Sequence, residues 1–184
     1  EKPGNLILVI FGASGDLTAR KLIPALFSLK IQKLLPERFA VIGCGRSVFS
    51  DPEFRTKMKE SIIAFSEEKD PDEKSVDEFV ESISYLMLNN EKLPDYHKLR
   101  EILVERTKSM SIVANYIFYM ATPPSMYSVI AENLHEAGLS VQHDGFRRLI
   151  IEKPFGYDLE SGRELNRKLH EMVDESQIYR IDHY

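Results

Sequence analysis

Three clusters hold the side chains best suited to chemistry. Gly12-Ala13-Ser14-Gly15-Asp16-Leu17 lies near the start, Glu152-Lys153-Pro154-Phe155-Gly156 towards the end, and Arg180-Ile181-Asp182-His183-Tyr184 last. The first directly follows the apolar run LILVIF and precedes a helical stretch over residues 17–29. A strand that turns sharply into a helix offers backbone N–H groups and the positive end of the helix dipole, which suits a pyrophosphate. Glycine lets the chain turn tightly and approach the phosphate closely. Ser14 and Leu17 stand where G-x-G-x-x-G has its second and third glycines, so placement between strand and helix carries the reading. A purely structural glycine turn is the alternative.

The end of the second apolar run separates the two nicotinamide coenzymes. An acid there would bind a ribose 2′-hydroxyl. The chain instead runs Gly43-Cys44-Gly45-Arg46-Ser47, with no acid and one arginine. A guanidinium forks onto phosphate, so Arg46 favours a 2′-phosphate; an ordinary solvated arginine is the other reading. Lys153 ends the fifth strand, where side chains point into the crevice of an open parallel sheet; a surface lysine at a strand–loop junction is the other reading. Thr122-Pro123-Pro124 ends the fourth and stiffens the loop beside that crevice. Asp182 and His183 are neighbours on a strand, and adjacent strand residues face opposite ways, so they serve different partners.

Placing these clusters requires a regular alternation of elements. Short apolar runs at residues 6–11, 39–42, 84–88, 116–120, 148–151 and 177–181 read as buried parallel strands. Between them, Ser50-Asp51-Pro52-Glu53 opens a helix with a capping side chain, a proline and an acid. Residues 95–108 and 125–137 are helical, and Gly138 stops the latter. Asp158 opens a helix through about residue 174, with Leu159, Leu165, Leu169 and Met172 as its inward stripe. Pro24 should kink the first helix, and residues 67–74 (EEKDPDEK) read as a solvated loop. Alternating strands and helices predict an α/β, Rossmann-type doubly wound, mostly parallel sheet of about six strands with helices on both faces.

The 184 residues suit one domain, and their 43% apolar and 29% charged shares are ordinary for a soluble protein. A net charge of −5 argues against a nucleic-acid surface, which needs clustered Lys and Arg. The lone Cys44 cannot form an internal disulfide, which fits a cytoplasmic location. No apolar run approaches the roughly 18 residues that span a bilayer, and the first residues lack a signal-peptide layout.

The turn at Gly12, with Arg20-Lys21-Leu22 and Pro24-Ala25-Leu26 after it, resembles the glucose-6-phosphate dehydrogenase family. Phe118-Tyr119-Met120-Ala121 with Pro123-Pro124, the Glu152-Lys153-Pro154-Phe155-Gly156 cluster, and residues 177–184 resemble it in the same order and spacing. The resemblance implies oxidation of C1 of glucose 6-phosphate to a lactone with reduction of NADP, the opening step of the pentose phosphate pathway. It implies that residues 1–184 are the coenzyme domain, and that an α+β domain carrying the substrate base and the homo-oligomer interface lies past Tyr184. Carried over, Gly12, Ala13, Ser14, Gly15, Asp16, Leu17, Thr18 and Ala19 hold the pyrophosphate, and Arg46 the 2′-phosphate. Tyr119 and Lys153 lie against the coenzyme, and Lys153, His183 and Tyr184 bind the sugar phosphate. Asp182 orients the base histidine, which no histidine here matches. The 184 residues alone are therefore expected to bind NADP without turning over, and no metal is called for.

Two other readings are open to the turn. Short-chain dehydrogenases use Gly-Ala-Ser-Gly turns too, but need a Tyr-x-x-x-Lys pair. No tyrosine here has a lysine four residues on; Tyr96 is followed there by Arg100. A non-catalytic NADP-binding module is the second.

Overall fold

Leu6–Phe11, buried along its whole length, is the central strand β1 of the computed structural model, which describes residues 3–182. Phe39–Gly45 (β2) and Tyr116–Met120 (β4) flank β1, Ile83–Met87 (β3) lies outside β2, and Arg147–Glu152 (β5) and Ile178–Ile181 (β6) follow β4. The order is β3-β2-β1-β4-β5-β6, and every pairing is parallel. The doubly wound reading thus holds.

Alternate residues of β1 feed two cores. Leu6, Leu8 and Ile10 pack with Ile23 and Phe27 of α1 (Ile23–Ile31), Phe54, Met58 and Ile62 of α2 (Asp51–Phe65), and Val76, Phe79 and Val80 of α3 (Glu73–Glu81). Ile7, Val9 and Phe11 pack on the other face with α4 (Leu93–Met110), α5 (Tyr127–Glu136) and α6 (Leu159–Met172) through Leu99, Ile130 and Leu169. Each fully buried Phe, Met or Ile of this kind contributes about 1.5–3 kcal/mol relative to exposure.

Local chemistry sets the helix starts. Ser50 Oγ accepts from Glu53 N at 3.3 Å and Glu53 Oε2 accepts from Ser50 N at 2.7 Å, a reciprocal cap for α2. Asp158 and Ser161 do the same for α6, at 2.8 and 3.1 Å. Gly138, at φ +74°, follows α5 as the expected stop.

Three local expectations change. The kink at Pro24 takes the form of a π-helical turn over Thr18–Leu22, in which Ile23 N–H donates to Thr18 O. This wider turn ends where the proline lacks the N–H that an α-turn would use. The charge run is only partly a loop, because Asp72 accepts from Ser75 N at 3.0 Å and so caps α3. Leu159 is not part of the inward stripe of α6: it stands 70% exposed in the first turn, while Leu169 is buried and Leu165 and Met172 pack against the core.

Candidate functional site

The chain leaves β3 and crosses to β4 on the far side of β1, so the sheet's winding reverses between β1 and β4. In open α/β sheets ligands bind beyond the carboxyl ends of the strands at such a point. Gly12 stands there. Its N–H and that of Ala13 both donate to Cys44 O at 3.0 Å, which ties the turn to the end of β2. Its φ is +80°, and a Cβ there would lie 2.3 Å from Ala121 O, so only glycine fits. Gly15 N then donates to Gly12 O at 3.0 Å, and the buried Thr18 hydroxyl to the same oxygen at 3.4 Å.

A cleft of about 670 Å³ opens over this turn. It gathers Gly12, Ser14, Gly15 and Arg46 from widely separated parts of the sequence, with Ala121, Thr122 and Pro123 as the opposite wall. Ala13 and Thr18 are buried beneath the turn, Leu17 and Ala19 are partly buried, and Asp16 points into solvent 3.9 Å from Arg20. Arg46 is exposed and has no ion pair among the described residues. Its loop is held by Tyr85, whose hydroxyl donates to Ser47 O at 2.7 Å. Burial, with the nearby Cys44, pushes the Tyr85 phenol up to about 12, so it remains a donor. Burial also raises the Cys44 thiol, which leaves it an inert core group.

Some lining residues had no signal in the glycine motif. Asn89, Asn90 and Glu91, from the loop after β3, complete the wall beside Arg46. They too follow the carboxyl end of a strand, which was the signal available. Lys57 of α2 reaches the back of the turn, with Nζ 3.5 Å from Ser14 O and 5.1 Å from the Phe49 ring centroid. The Thr122 hydroxyl is buried without a hydrogen-bond partner among the described residues.

The other expected site residues lie further along the same edge. Lys153 directly follows β5 and is joined to Pro154 by a cis bond, and its N–H donates to Ile181 O at 3.0 Å. Its ammonium sits 2.7 Å from Asp182 Oδ1, both side chains being about half exposed (53% and 47%). Among the described residues Asp182 is thus paired with Lys153. Tyr119 is not in the cleft. It is buried on the α1 face, with its hydroxyl donating to Glu152 Oε1. His183 and Tyr184 lie outside the described residues.

A family model described as the NAD binding domain of glucose-6-phosphate dehydrogenase matches residues 9–184. The chain belongs to the glucose-6-phosphate dehydrogenase family. It is 43% identical over 183 residues to the glucose-6-phosphate 1-dehydrogenase of Aggregatibacter actinomycetemcomitans, covering 100% of this chain and 36% of that protein. The enzyme of the same name from Treponema pallidum (strain Nichols) is 41% identical over 178 residues, with 97% and 35% covered. A solved glucose-6-phosphate dehydrogenase in complex with its substrate glucose-6-phosphate superposes with a TM-score of 0.89 at 34% identity, over 100% of this chain and 37% of that one. The Mycobacterium avium enzyme superposes with a TM-score of 0.81 at 32% identity, over 97% and 36%. The chain therefore spans about a third of the length of these relatives. No helix among the described residues is long and apolar enough to cross a membrane.

Proposed function

We propose that this chain is the NADP-binding part of an enzyme that oxidises glucose 6-phosphate to 6-phosphogluconolactone. The observation that carries the reading is the Gly12 turn at the winding reversal with the unpaired Arg46 beside it. A cradle that a single Cβ would fill, bordered by a free guanidinium, suits a dinucleotide bearing an extra phosphate. Gly12, Ala13, Ser14, Gly15, Asp16, Leu17, Thr18 and Ala19 form the pyrophosphate turn. Arg46 takes the 2′-phosphate.

NADP, when bound, supplies the hydride acceptor for C1. The residues here position and bind: Lys153 reaches the coenzyme and the sugar, and His183 and Tyr184 hold the sugar phosphate. Asp182 orients and charge-stabilises a base histidine that takes the C1 hydroxyl proton. That histidine belongs to the α+β region that makes up the rest of the relatives' length, which also carries the homo-oligomer contact. What supports a further region is that this chain covers only 36% and 35% of the relatives' length. A cytoplasmic setting is supported by the lone, buried Cys44.

The test is turnover by the complete gene product, followed through NADPH absorbance with glucose 6-phosphate as substrate. Saturable lactone formation supports the reading. NADP binding without turnover by the complete product would make it a binding module instead.

A further inference from the structure

Lys57 reaches from α2 to the turn that carries the cleft, and its charge is not neutralised there. The ion pairs of α2 belong to Arg55 and Lys59, and Lys57 has none among the described residues. The acids that open α2 are engaged elsewhere: Asp51 Oδ1 accepts from Tyr85 N at 2.8 Å, and Glu53 Oε2 from Ser50 N at 2.7 Å. What the Lys57 ammonium meets is neutral, the Ser14 carbonyl at 3.5 Å and the Phe49 ring with its centroid at 5.1 Å. The first contact is at the long limit of a hydrogen bond, and a four-carbon stem swings easily, so the ammonium is free to exchange it for an anion.

Both contacts set this cation beside Arg46. Ser14 lines the cleft together with Arg46. A Cβ on Gly45, the residue before Arg46, would lie 3.0 Å from Ser14 Oγ, so the turn and the end of β2 touch at this point. Phe49 belongs to the loop that Arg46 opens, and its ring packs against Phe54 of α2 and Tyr85 of β3. Two cations without ion pairs thus approach one residue of the turn, Arg46 from β2 and Lys57 from α2. A phosphate monoester carries about −1.5 to −2 charges near neutral pH, more than one guanidinium neutralises.

We infer that Lys57 is the second cation of the 2′-phosphate site: its ammonium gives up the Ser14 carbonyl and donates to a phosphate oxygen beside those that Arg46 holds. The inference rests on the reading that the cleft takes NADP with Arg46 at the 2′-phosphate. It adds a coenzyme-selecting residue that comes from a helix and lies outside the glycine motif. NAD has a hydroxyl at that place, so Lys57 stays on Ser14 when NAD binds.

The test is a titration with NADP and with NAD of the parent protein, Lys57→Met, Arg46→Ala and the double variant. Methionine keeps an apolar stem over Phe49 and removes only the charge. Lys57→Met should weaken NADP about tenfold, as loss of one charged hydrogen bond does, with NAD within about twofold of the parent. The double variant should bind both coenzymes alike. Equal losses for NADP and NAD in Lys57→Met would make Lys57 a support of the turn, and unchanged NADP would make it a bystander; either overturns the inference while the role of Arg46 stands. A parent that binds the two coenzymes alike would overturn the 2′-phosphate reading and the inference with it.

Discussion

The Tyr85 hydroxyl donates to the backbone oxygen of Ser47 at 2.7 Å, so β3 holds the loop that presents Arg46. Tyr85 also sits where Gly45 leaves it room, since a Cβ on Gly45 would lie 2.9 Å from that hydroxyl. The arginine is therefore aimed by a phenol on the neighbouring strand. Tyr85→Phe should cost about 0.5–1.5 kcal/mol of stability, the usual net value of one hydrogen bond. It should also weaken NADP more than NAD, because the loop that loses its anchor bears Arg46, the residue proposed to take the 2′-phosphate. Chemical denaturation and coenzyme titration check the two halves.

The same phenol gives an alkaline limit. Burial raises the folded Tyr85 from its ordinary 10.0 to about 12, so its stabilising contribution is fully present below pH 10.0 and is lost as the pH climbs through about 12. Stability measured by denaturation should fall over that window, and Tyr85→Phe should flatten part of the fall. An unchanged slope in the variant would show that Tyr85 does not titrate with unfolding.

Two glycines should respond in opposite directions. Gly12→Ala puts a Cβ 2.3 Å from Ala121 O at a φ of +80°, so the strained backbone alone should cost about 1–3 kcal/mol. Gly162 lies inside α6, and a Cβ there meets nothing within 4 Å. Gly162→Ala should therefore stabilise by about 0.8–1 kcal/mol, the helix-propensity difference. Thermal melts of both variants decide this.

Asp182→Asn should leave the melting temperature almost unchanged. The Lys153–Asp182 pair is half exposed, and such pairs contribute about 0–1 kcal/mol. On the role proposed for Asp182, the same change should lower kcat strongly in the complete enzyme. Equal loss of stability and of kcat would point to a structural pair.

Much of this arrangement was legible in the residues. Continuous apolar runs such as Leu6–Phe11 mark strands covered on both faces, and their carboxyl ends locate Gly12, Arg46 and Lys153. Ser50 and Asp158 announce their helices through local hydrogen bonds alone. Helix α3 escaped because only Val76, Phe79 and Val80 bury, behind a charged, proline-containing approach that reads as solvent-facing. The contact between Tyr119 and Glu152 escaped for a different reason. Strand alternation gives Tyr119 a face, but its partner Glu152 comes from another strand, and only the β4–β5 register brings the two together. The Lys153–Asp182 pair likewise depends on β5 and β6 lying side by side. Leu159 shows the limit of periodicity, which marks a stripe without saying where the core ends.

The most direct test of the account is a titration of the 184-residue chain and its Arg46→Ala variant with NADP and with NAD. Among the described residues Arg46 has no ion pair and lines the Gly12 cleft, so the account predicts that NADP binds better than NAD. The variant should lose about 1.5–3 kcal/mol of NADP affinity, the value of a hydrogen bond to a charged group, with little change for NAD. Equal losses for both coenzymes, or no binding of either, would contradict it.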